Sequence, residues 1–230
     1  MKATAVALTA LLAVAMVLLG NWQLRRLDWK LALIDRVETR AYETPVAAPV
    51  GTVRTEDHEY LRVAIEGRFR HELSQRVKAL TELGGGYWLM TPLETARGAV
   101  WINRGFVPTG TRATDWQQPT DEQRVEGLVR MTEPKGTLLE RNDPAAGRWV
   151  SRDVAALSDH AGLKYVQAYF VDADHAGDPD DWPRGGLTKL RFRNTHLAYA
   201  LTWYAMAALF AAAVAYVVFA RPATRDPARS

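Results

Sequence analysis

The chain contains no cysteine, and this absence removes several kinds of site at once. Disulfides, thiolate metal sites, covalent c-type haem attachment and cysteine nucleophiles all require that residue. The absence does not indicate a compartment, because a disulfide-free domain is compatible with either side of a membrane. Neither sign of charge is in large excess, since the formal net charge is only +3. No basic stripe interleaved with aromatic residues occurs, so the sequence indicates no nucleic-acid partner.

Catalytic and ligand-binding motifs are lacking as well. Serine occurs only at positions 74, 151, 158 and 230, none of them in a nucleophile elbow, and His-Glu-x-x-His is absent. Gly84-Gly85-Gly86 lacks the ending of a phosphate loop and predicts a flexible turn. The aspartate-rich segment 172–181 has Pro183 where a calcium loop needs glutamate, which favours a solvated loop. We therefore expect that the protein is not an enzyme.

Two long uncharged runs stand near the ends of the chain. Residues 3–24 and 197–220 are predominantly apolar, and about 22 residues at 1.5 Å rise cover roughly 33 Å, the thickness of a hydrocarbon core. A cleaved signal peptide is the alternative for the first run, with Ala13-Val14-Ala15 as its cleavage site. The run continues past that site and exceeds a signal core in length, which favours an uncleaved anchor. Arg221-Pro222 ends the second run.

The orientation of the two spans is ambiguous from charge. Basic residues flank both the loop side and the tail side of the runs, and a simple positive-inside count would place the loop in the cytoplasm. A loop this long, however, is translocated largely regardless of its charge. The charge count therefore leaves the orientation open.

The region between the spans has the pattern of a β-rich domain. Strand-like runs occur at 60–70, 77–80, 87–93, 99–107, 123–131, 149–150 and 165–171. Gly67 predicts a bulge or bend, Thr95–Gly98 a hairpin loop, and only 152–161 a short helix. Six or seven short strands without βα alternation predict an antiparallel barrel or strongly twisted sheet with a minor helix.

These patterns predict a membrane protein in which two transmembrane helices flank one β-rich extramembrane domain. Leu24, Leu27, Leu31 and Ile34 have helical spacing after the first span, and Thr44 to Val53 predicts a linker. The predicted segments are transmembrane helix 1 at 1–24, a juxtamembrane amphipathic helix and linker at 25–44, the β-rich domain at 45–193, transmembrane helix 2 at 194–220 and a tail at 221–230.

A histidine at the entrance of the second span is the most informative single residue. Tyr199 and Trp203 follow His196 by three and seven residues and lie on the same helix face. An ionisable group at membrane depth is expensive and is a functional candidate. The imidazole could ligate a haem iron, with the aromatic rings packing on the macrocycle and nearby arginines pairing with its propionates. The alternative is an interfacial belt of polar and aromatic side chains.

Four sequence blocks in order resemble the Surfeit-locus (Shy-type) cytochrome c oxidase assembly protein family. They are Gly20-Asn21-Trp22-Gln23-Leu24-Arg25-Arg26 with Trp29-Lys30, the segment Val63–Phe69, the segments Gly86–Leu93 and Val100–Pro108, and the segment Asn194–Tyr204. The resemblance covers nearly the whole chain, with both apolar runs in the expected places.

The resemblance implies an assembly factor for an aa3-type cytochrome c oxidase in a bacterial-type inner membrane, with both termini cytoplasmic and the domain periplasmic. It implies that the protein binds haem a and delivers it to the catalytic subunit, with His196 as the iron ligand. Membrane lipid, haem–copper oxidase subunits and the haem a biosynthetic enzyme are the expected partners. A cofactor-free scaffold that stabilises oxidase subunits remains the alternative. The expected haem-site residues are His196, Tyr199, Trp203, Arg193, Arg25 and Arg26.

Overall fold

The computed structural model describes residues 2–134, 136, 140–188 and 194–219 and divides the chain into two compact units. The first unit contains the apolar segments from both ends, Met1–Asp35 and Arg191–Ser230. The second, Arg36–Leu190, contains the β-rich domain. Arg193, one of the expected haem-site residues, and the predicted tail 221–230 lie outside the described residues.

Two helices in the structure are long and apolar enough to cross a membrane. Helix α1 runs from Lys2 to Ala41 without interruption and helix α4 from His196 to Phe219, and their most apolar windows reach mean hydropathies of 2.4 and 1.8. Only 6% of each window is buried inside the structure, which distinguishes both helices from the core helices of a soluble protein. The second predicted span thus begins at the candidate ligand His196.

In its described residues, the β-rich domain contains seven strands and two short helices. The strands are β1 Val46–Ala47, β2 Arg62–Phe69, β3 Gln75–Thr81, β4 Gly84–Thr95, β5 Gly98–Pro108, β6 Gln123–Met131 and β7 Val166–Ala173. The helices are α2 Thr55–His58 and α3 Val154–His160, and three single 3-10 turns lie in the loops at His71–Leu73, Ala113–Asp115 and Pro144–Ala146.

Five of the strands close into a barrel, which confirms the predicted fold class. The sheet has the order β1-β2-β6-β7-β5-β4-β3, and a further pairing of β2 with β4 joins its ends into the ring β2-β6-β7-β5-β4. All pairs in the ring are antiparallel except β5 with β7. Strand β3 extends beyond the ring on β4, and β1 pairs with β2 in parallel.

Alternation along the strands separates two hydrophobic clusters. Val100 and Ile102 belong to a cluster with Tyr169 and Val171, while the intervening Trp101 belongs to another cluster with α3. Successive strand residues point to opposite faces, so the first cluster fills one face of the ring and the second lies under α3 on the other. The indole N–H of buried Trp101 donates to the Ser158 hydroxyl on α3 at 2.9 Å.

Two local predictions were wrong, and one alternative of a third is excluded. Gly84-Gly85-Gly86 is not the turn itself but the start of β4, where these residues pair with Thr81, Leu80 and Ala79 respectively, and the turn is Glu82-Leu83. Trp149-Val150 is no strand, because Trp149 makes only an isolated bridge to Val77. Of the bulge or bend predicted at Gly67, the bulge is excluded, because Gly67 stays in register with Gln123, and β2 changes its partner from β6 to β4 directly after this residue.

A bulge occurs instead in β5. Trp88 pairs with Phe106 and Met90 with Asn103, so that Arg104 and Gly105 together oppose Leu89. Gly105 has a φ of +131°, and a side chain there would collide with the backbone of Arg184. Bulges of this kind change the direction of neighbouring side chains. The bulge therefore determines where Arg104 points.

Candidate functional site

His196 is the first residue of α4, and two hydrogen bonds fix its position. Its backbone N–H donates to Oδ1 of Asn194 at 3.2 Å, which caps the beginning of the helix. Its ring nitrogen Nδ1 lies 2.8 Å from Oε1 of Gln23 on α1. An amide oxygen only accepts, so Nδ1 carries the proton and donates it. The other ring nitrogen, Nε2, then holds the lone pair.

This arrangement is compatible with ligation of a metal by His196. Such histidines donate one ring N–H to an oxygen, which fixes the tautomer and raises the basicity of the other nitrogen. Among the residues that the structure describes, none hydrogen-bonds to Nε2 of His196. The same residues contain no group of three or more His, Asp or Glu side chains that could hold a bare metal ion. A single imidazole with a free lone pair could ligate a haem iron, because the macrocycle supplies the ring nitrogens that also bind the iron.

The helices α1 and α4 pack closely beside this histidine. Gly20 is buried, and a side chain there would collide with the ring of Tyr204. The Tyr204 hydroxyl donates to Oδ1 of Asn21 at 2.7 Å. Side-chain hydrogen bonds and small residues are the usual means by which apolar helices associate in lipid. The pairing therefore holds Gln23 opposite His196.

The predicted aromatic residues lie beside His196 on α4. Trp203 is half-buried, whereas Tyr199 is 56% exposed. Ala200 and Ala207 are buried on α4, so His196 and Trp203 border the packed face while Tyr199 lies further out. The three side chains thus share one side of α4, with the tyrosine open to its surroundings.

The predicted arginines are placed differently. Arg193 lies outside the described residues. Arg25 and Arg26 are both exposed on α1, two and three residues after Gln23. At about 100° per residue, Arg26 lies near the Gln23 side of the helix and Arg25 on the far side. The Arg26 guanidinium lies 4.6 Å from the centre of the Trp29 ring.

Gln23 was absent from the site predicted from sequence, although a signal for it exists. An uncharged polar side chain at the end of an apolar run costs free energy in lipid and needs a partner, as an ionisable one does. Gln23 and Asn21 both meet that description, and each hydrogen-bonds to a side chain on α4.

A second group of polar residues, which we term the Asp172 cluster, is buried in the barrel domain. Asp172 is 7% exposed and accepts from Asn103 at 2.8 Å, Arg130 at 3.0 Å, Arg152 at 3.1 Å and Thr188 at 2.8 Å. Arg152 also forms a bidentate pair with Glu133. Since the carboxylate accepts four bonds, it is engaged in holding strands and loops together and has no free lone pair for chemistry.

A third polar group joins His71 to Arg104. Nε2 of His71 donates to the Pro119 carbonyl at 2.9 Å, and an Arg104 N–H donates to Nδ1 at 3.4 Å. The bond from Arg104 requires a neutral ring, because Nδ1 must be unprotonated to accept it, whereas the bond to Pro119 is possible in either protonation state. Burial lowers the pKa of His71, and the nearby Arg104 charge lowers it further, against the opposing effects of the Pro119 bond and of Glu72.

Acidification should therefore destabilise the barrel domain through His71. Below about pH 6.5 the unfolded chain binds a proton that the folded ring resists, so stability is lost as the pH falls through that value. The apparent Tm of the full chain in detergent should drop more between about pH 7.5 and 5.5 than that of His71→Gln. Equal drops in the two proteins would contradict this role for His71.

The chain is similar to proteins of one family. A family model described as the SURF1 family matches residues 10–208. Surfeit locus protein 1 of Rattus norvegicus is 30% identical over 229 residues, which cover 91% of this chain and 72% of that protein. Surfeit locus protein 1 of Homo sapiens is 31% identical over 211 residues, covering 83% and 69%. The SURF1-like protein of Monosiga brevicollis is 31% identical over 221 residues, covering 87% and 83%.

These matches include most of α1, the whole barrel domain and the first half of α4. His196 and its hydrogen-bond partner Gln23 thus both fall within the matched region. The resemblance inferred from the four sequence blocks is confirmed, and this chain belongs to the SURF1 family.

Proposed function

We propose that this protein is an assembly factor for an aa3-type cytochrome c oxidase, which binds haem a and delivers it to the catalytic subunit of that oxidase. Membership of the SURF1 family supports this function. The observation that carries the haem part of the proposal is the hydrogen bond from Nδ1 of His196 to Gln23, since it leaves Nε2 available as an axial ligand.

The residues around His196 have separate tasks in this proposal. When bound, haem a would supply an iron that accepts the imidazole lone pair. Gln23 keeps the proton on Nδ1 and so keeps Nε2 basic. Tyr199 and Trp203 provide apolar surface on the same side of α4, and Arg26 and Arg25 provide positive charge for carboxylates at the polar end of the helix pair. Holding a cofactor in this way requires no catalytic group.

The optical spectrum tests this proposal. The full chain should be purified in mild detergent from cells that make haem a, and the haem extracted and identified. We expect a haem a spectrum and a fixed ratio of haem to protein. Protein that carries no haem under these conditions would favour the cofactor-free scaffold, in which the helix pair and barrel domain only hold oxidase subunits.

We further propose that the protein resides in a bacterial-type inner membrane with both termini cytoplasmic and the barrel domain periplasmic. Two helices long enough to span support a double crossing, which returns the chain to its starting side. In this location, lipid, the oxidase subunits and the enzyme that makes haem a would be its partners.

A reporter enzyme that is active only in the periplasm should be active when fused at Gly110. This residue lies in an exposed turn after β5, where an insertion disturbs little packing. The same reporter fused after Ser230 should be inactive. The reverse pattern would show that the barrel domain is cytoplasmic.

A further inference from the structure

One end of the barrel opens into a cavity of about 840 Å³, which we term the barrel mouth. Its wall includes Phe69 at the end of β2, Arg104 in the β5 bulge and Val125 near the start of β6. Trp116 and Trp182 reach it from the loops that follow β5 and β7. The mouths of β-barrels are common places for small ligands.

Arg104 is the unusual member of this wall. Its guanidinium donates to the Gln117 carbonyl at 2.9 Å and to His71 at 3.4 Å, and it lies 5.1 Å from the centre of the Phe69 ring. All three partners are uncharged. Among the described residues, no carboxylate lies within 4.0 Å of it, whereas the half-buried Arg62, Arg130 and Arg152 each pair with one.

The acidic residues of the barrel mouth are engaged elsewhere. Glu126 pairs with Arg124, and Asp174 pairs with Arg62. Two further carboxylates, those of Asp115 and Asp181, accept from the backbone N–H groups of Arg112 and Asp178. Arg124 and Arg62 offset two of these four charges, and the remaining repulsion is weaker for a singly charged anion than for one with several charges.

Burial lowers the pKa of Arg104 to about 10, so the guanidinium is still a cation at neutral pH. Arg104 is half-buried, and a half-buried cation without a counter-charge loses hydration that its neutral partners replace only in part. Such costly arrangements are characteristic of sites that bind a charged ligand.

We propose that the barrel mouth binds an organic monocarboxylate with an aromatic or other apolar body, whose carboxylate pairs with Arg104. The planar guanidinium fork matches the two oxygens of a carboxylate, and Phe69, Trp116 and Trp182 offer apolar surface for the body of the ligand. This site lies in the barrel domain and does not depend on the proposed haem function.

Benzoate is a suitable probe. It should be titrated into the full chain in detergent while tryptophan fluorescence and apparent Tm are measured, with benzyl alcohol and inorganic phosphate titrated in parallel. We expect a saturable change and a raised Tm with benzoate. Benzyl alcohol lacks the charge and phosphate carries too much of it, so both should bind at least tenfold more weakly. Equal effects of all three, or no saturation with benzoate, would overturn the proposal.

Two variants separate binding from a structural role of Arg104. Arg104→Met should lose the benzoate response, because it removes the cation that pairs with the carboxylate, and thermal unfolding without ligand checks that the variant is folded. Arg104→Lys keeps the charge but not the fork, and should bind benzoate at least tenfold more weakly. Unchanged benzoate binding in either variant would show that the arginine serves the fold alone.

Discussion

His196→Ala should reduce the haem content of the purified protein at least tenfold, and its haem absorption spectrum should be lost accordingly. The substitution deletes the imidazole whose Nε2 is the proposed iron ligand, and no backbone group can replace it. Membrane insertion and expression should stay unchanged, since one residue at the end of a 24-residue apolar helix contributes little to insertion. Haem extraction and optical spectra of membranes with matched protein amounts measure the effect.

Two further variants show whether the geometry around His196 matters. Gln23→Leu keeps the imidazole but removes the acceptor for Nδ1, so haem should be retained less tightly and its spectrum shifted. Trp203→Ala should weaken binding mildly, because it removes packing and not ligation. His58→Ala, in helix α2 of the barrel domain, is the matched control and should keep the wild-type haem content. A wild-type spectrum in His196→Ala would leave this residue as an interfacial anchor and would favour the scaffold.

Asp172→Asn should strongly lower the stability of the barrel domain. The asparagine keeps the shape but removes the charge that Arg130 and Arg152 both contact, and its amide N–H₂ would face other donors. Breaking a buried ion pair costs about 3–5 kcal/mol. For a domain of this size that corresponds to a Tm lowered by roughly 6–20 °C.

Thermal unfolding of the full chain in detergent, followed by circular dichroism in the β region, measures this loss. Asp121→Asn is the matched control, because that aspartate is exposed and its substitution should change the Tm by less than about 2 °C. A Tm of Asp172→Asn within that range would mean that Glu133 and Glu59 alone suffice to compensate the two arginines.

The sequence predicted those features that depend on local pattern. Alternation located β2, β5 and β6 to within two residues, and uncharged length located both candidate spans. Gly84–Gly86 was misassigned because glycine is rare in strands, yet here strand backbones approach so closely that a side chain at Gly86 would collide with the Val107 carbonyl.

Contacts between distant residues could not be predicted in the same way. Gln23 and His196 are 173 positions apart, and Asn103 and Asp172 are 69 apart. A hydrophobic pattern determines which face of an element is buried, but not which other element covers it. The Gln23 partner of His196 and the Asp172 cluster therefore became visible only in three dimensions, and the haem role of His196 stays a prediction.

The place of β7 in the ring affects the order in which the domain can form. This strand is the last in the chain, yet it lies between β5 and β6. A ribosome must therefore synthesise the chain through Ala173 before β5 and β6 can both pair with β7. Until then each of these two strands presents one open hydrogen-bonding edge. Only 22 residues separate Ala173 from His196. Closure of the barrel and emergence of the second apolar helix are thus nearly simultaneous events in the synthesis of this protein.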